Sequence, residues 1–125
     1  MRVIIPASVL DSCLEGARNS MPCEFLALLS GGLSASEAVV ESVYLAPLAE
    51  SDEGSVFFSD WHVPLGLKVI GSFHSHPRGA ALPSRQDLRA FGNEGGVHLV
   101  ACSPFRRGDA AAFDSRGRKL ELKIV

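Results

Sequence analysis

The chain has 125 residues and a mass of 13.3 kDa, which is the size of a single domain with its own core. With 46% hydrophobic and 21% charged residues, its balance is that of a folded globular protein and excludes a disordered one. Its net charge is −2 with both signs interspersed, so no basic stripe indicates a nucleic-acid partner.

Targeting signals are also missing from the sequence. The apolar run at the N-terminus is too short for a signal peptide. No stretch approaches the roughly 20 apolar residues of a membrane-spanning helix. We therefore expect one cytoplasmic domain over residues 1–125, with no membrane partner.

The cysteines form neither a CxxC pair nor an even set. Cys13, Cys23 and Cys102 are therefore predicted to be small apolar core residues in a reducing compartment. A disulfide between Cys13 and Cys23 is the alternative that the sequence leaves open.

The first half of the chain predicts one helix and then strands. Residues 7–19 carry apolar side chains at helical spacing after Pro6, which suits a helix start. The apolar run 25–29 stops at a glycine pair and predicts a buried strand. A second strand, paired with the first, is predicted at residues 36–48. A turn at 50–55, a short third strand at 55–59 and an irregular loop at 60–66 follow.

The second half predicts a strand, a helix and three more strands. Residues 67–76 form the strongest strand signal, which Pro77 ends because proline lacks the N–H that a ladder needs. After a loop, Ser84 is a suitable N-cap for a short helix. Three final strands are predicted within 96–103, 110–115 and 119–125, the last two as a hairpin. The order predicts an α+β domain with one curved, mixed sheet flanked by helices.

A candidate metal site lies where the strongest strand ends. His74 and His76 are two residues apart on that strand, so both side chains project to one face. Asp87, in the first turn of the following helix, can face back toward them. Two histidines and a carboxylate make a catalytic zinc set with an open position. As an alternative, Ser84 and Asp87 form only a capping arrangement at the helix start.

A hydrolytic zinc site also needs a general base. Glu24 is the first candidate among the carboxylates outside the cluster, because it leads directly into an apolar run. Partial desolvation there would raise its pKa toward the range useful for proton transfer. The alternative is that Glu24 simply starts a strand at the solvent boundary.

The whole pattern resembles a known family. Glu24, the stretch HSHP at 74–77 and Ser84-x-x-Asp87 resemble, in order and spacing, the signature of the JAMM (MPN+) metalloproteases. The resemblance covers nearly the whole chain and implies the JAB/MPN fold, which is similar to that of cytidine deaminases.

The resemblance also implies a role for each residue of the signature. His74, His76 and Asp87 would bind zinc, with water as the fourth ligand. Glu24 would accept a proton from that water and deliver it to the leaving amine. Ser84 would donate a hydrogen bond to the developing oxyanion or would hold the zinc-bound water before attack.

Substrates implied by the resemblance are bonds at the C-terminus of ubiquitin or ubiquitin-like proteins. The insertions of the eukaryotic members are missing, which favours a small prokaryotic modifier or a sulfur-carrier protein as partner. Two alternatives stay open: a zinc hydrolase of this fold that trims a sulfur carrier or another peptide, and a non-catalytic MPN scaffold. The substrate tail is expected to pair with a sheet edge at 55–66.

Other residues near the signature have weaker assignments. Trp61 is a possible contact for the substrate tail, and His62 has no assigned role. His98 is predicted to be a structural histidine within a strand, and Arg78 to flank the site. The loop 78–82 is expected to shield the metal before substrate arrives.

Overall fold

A computed structural model describes residues 1–45 and 66–125 of the chain. The predicted turn at 50–55, the strand at 55–59 and the substrate edge with Trp61 and His62 lie outside these residues.

The described elements alternate strands with two helices, which confirms the α+β prediction. In chain order they are β1 (Arg2–Ile5), α1 (Ala7–Ser20), β2 (Leu26–Leu33), β3 (Glu37–Tyr44), β4 (Val69–His76), α2 (Arg85–Glu94), β5 (Val97–Cys102), a 3₁₀ turn (Arg107–Asp109), β6 (Ala110–Asp114) and β7 (Lys119–Ile124).

The strands form one mixed sheet, as predicted, and the sheet closes on itself. The strand order is β1-β3-β2-β4-β5-β6-β7, with β7 returning to β1. β1 is parallel to both of its neighbours, and β4 is parallel to β5. The other pairs are antiparallel, including the predicted β2–β3 and β6–β7 pairs. Neither described helix is long and apolar enough to cross a membrane.

Two apolar clusters lie on opposite faces of the sheet. The larger contains the buried face of α1, where Leu10, Cys13, Leu14 and Ala17 recur at helical spacing. The smaller contains Phe91 of α2 with two sheet residues, Val100 and Phe113. Because side chains alternate along β5, Leu99 packs in the larger cluster while Val100 packs in the smaller one. α2 is thereby held over one face of β4 and β5.

The structure corrects two strand predictions. β1 was not predicted, because four residues are too few for a periodic signal, yet it lies between β3 and β7. β2 does not stop at the glycine pair but continues to Leu33. At Gly31 a Cβ would lie 2.0 Å from the carbonyl oxygen of Val39, so glycine here permits a bulge with close strand approach.

The cysteine prediction is correct for one residue only. All three thiols are free, so the alternative of a Cys13–Cys23 disulfide is wrong. Cys13 is buried, and burial raises its pKa to about 12. Cys23 is exposed and Cys102 is half-buried, so neither is a core residue. Cys23 lies on the turn between α1 and β2, beyond the buried helix face.

Alanine substitutions at two helical glycines should have opposite effects on stability. A Cβ at Gly16 would lie 2.4 Å from the ring of Phe25, whereas one at Gly92 would meet nothing within 4 Å. Gly92→Ala should raise the free energy of unfolding by about 0.5–1 kcal/mol. Gly16→Ala should lower it, because an overpacking cost of about 1–3 kcal/mol exceeds the gain in helix propensity. Urea unfolding would measure both, and equal stabilisation would contradict the packing described for Phe25.

Candidate metal centre

The two histidines and the aspartate of the signature meet at the end of β4. His76 Nε2 lies 2.8 Å from Asp87 Oδ2, and His74 Nδ1 lies 3.4 Å from Asp87 Oδ1. His74 and Asp87 are each 6% exposed, so this contact is almost entirely buried. One carboxylate therefore faces both imidazoles, with one oxygen directed at each ring.

Local structure explains why these three groups converge. β4 is hydrogen-bonded to β2 on one side and β5 on the other, which fixes the direction of its side chains. Ser84 is the N-cap of α2, and its Oγ accepts the Asp87 N–H at 3.0 Å. The Asp87 carboxylate accepts the Ser84 N–H at 3.0 Å. The capping alternative is therefore present together with the histidine contacts, and it orients the carboxylate toward β4.

The second nitrogen of each imidazole also has a partner. His76 Nδ1 lies 3.1 Å from the carbonyl oxygen of Ala80, which can only accept a hydrogen bond. His76 therefore carries a proton on Nδ1, and as the structure stands its Nε2 donates to the Asp87 carboxylate. A bound metal ion would take the place of that Nε2 proton. His74 Nε2 lies 2.8 Å from Ser72 Oγ, which leaves Nδ1 facing the carboxylate. Such outer partners orient histidines that bind metals.

The contacts within the cluster shift the pKa values of Asp87 and His76. Burial opposes ionisation of Asp87, but hydrogen bonds from His74 and His76 outweigh it and hold the pKa of the carboxyl well below its usual range. The hydrogen bond to Asp87 raises the pKa of His76 despite partial burial, and the Ala80 carbonyl and the charge of Glu24 add to that effect. Asp87 therefore stays ionised, as a ligand for a cation must.

The donor set fits Zn²⁺ in its chemistry. Two imidazole nitrogens and a carboxylate are zinc ligands, and two ligand atoms of a tetrahedral site lie about 3.3 Å apart. The His74–Asp87 separation of 3.4 Å matches that spacing, whereas the 2.8 Å His76–Asp87 separation is that of a direct hydrogen bond. As they stand, no three His, Cys, Asp or Glu side chains of residues 1–45 and 66–125 are spaced as a metal site. Widening the His76–Asp87 contact by about half an ångström would bring that pair of atoms to the spacing of two zinc ligands.

The proposed base and oxyanion donor lie beside the cluster. Glu24, His76 and Ser84 line one open groove of about 410 Å³ together with Pro22, Pro77 and Arg78. Glu24 is exposed, so the predicted partial burial of this carboxylate is wrong. The apolar run that suggested burial begins only at Phe25, which is 8% exposed.

Ser75 connects the position of Glu24 to the two histidines. Because side chains alternate along β4, the Ser75 side chain points to the face opposite His74 and His76. The Phe25 N–H donates to Ser75 Oγ at 2.7 Å, and the Ser75 N–H donates to the Phe25 carbonyl at 3.0 Å. The residue after Glu24 is therefore anchored to the residue between the two histidines.

Ser72 and the contact that links His98 to the site were missed in the sequence. Ser72 and His98 are fully buried, and Ser72 Oγ lies 2.6 Å from His98 Nδ1. His98 is thus the buried, hydrogen-bonded strand histidine that the sequence predicted, and Ser72 connects it to His74. The alternation that brought His74 and His76 together also places Ser72 on their face and could have indicated it.

The chain matches the family described as prokaryotic homologs of the JAB domain over residues 6–116. The chain belongs to this family. A protein of Haloferax volcanii described as a probable metalloprotease is 35% identical over 97% of this chain and 78% of its own length.

Solved structures show the same family fold. A JAB1/MPN domain protein from Archaeoglobus fulgidus has a TM-score of 0.74 at 30% identity, covering 100% of this chain and 99% of its own. A structure described as JAMM, a metalloprotease-like zinc site in the proteasome and signalosome, has the same TM-score at 28% identity and the same coverage. The JAMM/MPN membership that the sequence indicated is thereby confirmed, and the JAB/MPN fold with it.

The buried state of His98 predicts a pH dependence of stability. Burial lowers the pKa of His98 to about 4, so the folded ring is neutral near pH 7. The unfolded ring protonates below about 6.5, so its contribution to stability is present above that pH and is lost as the pH falls toward 4. Between pH 7 and 4, zinc-free wild type should lose roughly 3 kcal/mol more stability than His98→Asn.

Urea unfolding of both proteins at a series of pH values would measure this difference. Asp87 and His76 titrate in both proteins, so their contributions largely cancel in the difference in stability between wild type and His98→Asn. Parallel stability curves would contradict a neutral, buried His98.

Proposed function

We propose that this protein is a zinc-dependent peptidase that cleaves peptide or isopeptide bonds at the C-terminal tail of a ubiquitin-like modifier. The observation that carries the proposal is the open groove in which Glu24, His76 and Ser84 meet beside the buried Asp87 carboxylate. The probable metalloprotease of Haloferax volcanii and the JAMM zinc site support this class of chemistry.

His74, His76 and Asp87 would hold the zinc ion through two ring nitrogens and a carboxylate. When bound, zinc would supply a water nucleophile activated near neutral pH and would polarise the scissile carbonyl. The exposed Glu24 carboxylate is accessible from the groove, where it would take the proton of the attacking water and pass it to the leaving amine.

Ser84 is oriented for the role of an oxyanion donor. Its Oγ already accepts the Asp87 N–H, so the hydroxyl hydrogen remains available to donate. Because Ser84 lines the groove, that hydrogen can point toward a substrate carbonyl next to His76. A fixed donor at this place would stabilise the charge that develops on the carbonyl oxygen.

The shape of the groove favours a tail without bulky side chains. Pro22 and Pro77 form apolar parts of its lining, and Arg78 provides a cation with fixed donors for carbonyl or carboxylate oxygens. A Gly-Gly tail is extended and narrow, which fits a groove of about 410 Å³. Each described strand has two hydrogen-bonded neighbours, and the sheet edge that the sequence predicts to pair with the tail lies outside the described residues.

Replacing the proposed base should separate zinc binding from turnover. Glu24→Gln removes the proton acceptor without changing any proposed ligand, so it should keep about one zinc per chain. Its kcat should fall by about 10²–10⁴-fold. Elemental analysis and a cleavage assay on the same preparation would measure both quantities, and a wild-type rate would rule out Glu24 as the base.

Two variants serve as controls for Glu24→Gln. Asp87→Asn should lose zinc as well as activity, because a neutral amide is a poorer ligand than a carboxylate. Glu41→Gln changes an exposed carboxylate of β3 that does not line the groove, and it should keep both.

Substrate choice can be tested with a panel of conjugates. One ubiquitin-like modifier ending in Gly-Gly would be joined to a carrier by an isopeptide bond or by a peptide bond, beside a sulfur-carrier protein with an added C-terminal residue. We expect chelator-sensitive cleavage directly after Gly-Gly that returns when zinc is restored. Equal cleavage of unfolded casein, or cleavage only of the sulfur carrier, would contradict the proposed substrate.

A further inference from the structure

A row of buried polar atoms extends from the candidate metal centre into the protein. His98 on β5 is the strand partner of Ser72 on β4, and Ser72 lies two residues before His74 on the same face. His98 and Ser72 are both 0% exposed, and His74 is 6% exposed. The row continues from His98 Nε2 to the Gly95 carbonyl oxygen, 2.6 Å away.

The chemistry of the four groups assigns every proton in the row. The Gly95 carbonyl can only accept, so His98 carries its proton on Nε2 and has a lone pair on Nδ1. The Ser72 hydroxyl therefore donates to His98 Nδ1, at 2.6 Å. The Ser72 oxygen then accepts the Nε2–H of His74, at 2.8 Å. With its Nε2–H donated to Ser72, His74 has Nδ1 as the nitrogen that faces Asp87, and the lone pair of Nδ1 would bind a metal ion placed there.

Packing from α2 holds the rings of this row in place. Phe91 stacks on His98 with centroids 4.0 Å apart and planes 5° apart. The same Phe91 ring meets His74 edge-on at 5.2 Å. Phe91 lies four residues after Asp87, on the same face of α2. α2 therefore supplies Asp87 as a proposed ligand and also, through Phe91, packs against the rings of His98 and His74.

We infer that Ser72 and His98 are positioning residues that hold His74 in its Nε2–H tautomer and present Nδ1 to the zinc ion. The inference deepens the proposed function, because it rests on zinc binding at His74. A hydrogen bond to the far nitrogen of a histidine ligand fixes its tautomer and raises its basicity, and loss of such a partner typically weakens metal binding about 10–100-fold.

Zinc affinity of the Ser72 variants tests the inference. Ser72→Ala removes both hydrogen bonds of the hydroxyl and should weaken zinc binding by about 10–100-fold, measured by competition with a chelator of known affinity. Ser72→Thr keeps a hydroxyl and should restore most of the affinity. Ser30→Ala is the matched control, because Ser30 is a buried serine of β2 whose hydroxyl hydrogen-bonds to Ser42. Ser30→Ala should bind zinc like wild type.

Substitutions of His98 separate its two hydrogen bonds. In His98→Asn the amide oxygen can take the place of Nδ1 and accept from Ser72, so zinc affinity should stay near that of wild type. In His98→Gln the amide nitrogen can take the place of Nε2 and reach Gly95, but Ser72 loses its acceptor. His98→Gln should therefore bind zinc more weakly than His98→Asn.

The tautomer of His74 gives a readout that needs neither zinc nor substrate. The ring ¹⁵N chemical shifts of the zinc-free wild type should report His74 protonated on Nε2. In Ser72→Ala the two tautomers should become mixed. Far-ultraviolet circular dichroism of each variant would check that it is folded.

The outcomes distinguish this inference from the proposed function. Unchanged zinc affinity and an unchanged His74 tautomer in folded Ser72→Ala would overturn the inference, whatever the cleavage assay shows. If wild type binds zinc but cleaves no modifier conjugate, the substrate proposal fails. A loss of zinc affinity in Ser72→Ala would then still support the inference.

Discussion

The Asp87 carboxylate is the group on which the candidate centre depends. Its oxygens face two imidazoles on β4, and one of them also accepts the backbone N–H of Ser84, the N-cap residue of α2. A carboxylate that is 6% exposed is stable as an ion only when its surroundings replace the lost water. Here the start of a helix and two histidines do so together. The position of α2 on the sheet and the geometry of the proposed zinc ligands are therefore consequences of the same hydrogen bonds.

Alternation along β4 assigns separate tasks to neighbouring residues. Ser72, His74 and His76 project to the face covered by α2, where the proposed ligands and their support lie. Phe73 projects to the larger cluster on the opposite face and anchors the strand. β4 has a hydrogen-bonded neighbour on each side, and a shift of one residue in its register would turn His74 and His76 into the core. The hydrogen-bonded register of β4 thus keeps His74 and His76 facing α2.

Much of the fold and the site could be predicted because it depends on local pattern. The end of β4, the capping role of Ser84 and the facing of His74, His76 and Asp87 follow from alternation, helix capping and a short loop. The rest depends on tertiary contacts that no short window contains. His98 is 26 residues from Ser72 in sequence, and the exposure of Glu24 depends on the turn after α1. The only sequence feature that indicates Ser72 is its position two residues before His74, which places both side chains on the same face of the strand.

The distance between the proposed base and the proposed ligands is set within three consecutive residues of β4. His74 and His76 point to one face, while Ser75 between them points to the other and binds the backbone of Phe25. The Phe25 ring is in turn packed against Gly16 of α1, so the backbone that carries Glu24 belongs to the larger cluster. On the other face of β4, the Phe91 ring of α2 packs against His74. β4 therefore aligns the proposed base and the proposed ligands although they are packed against different apolar clusters, and Glu24, His76 and Ser84 come together in one groove.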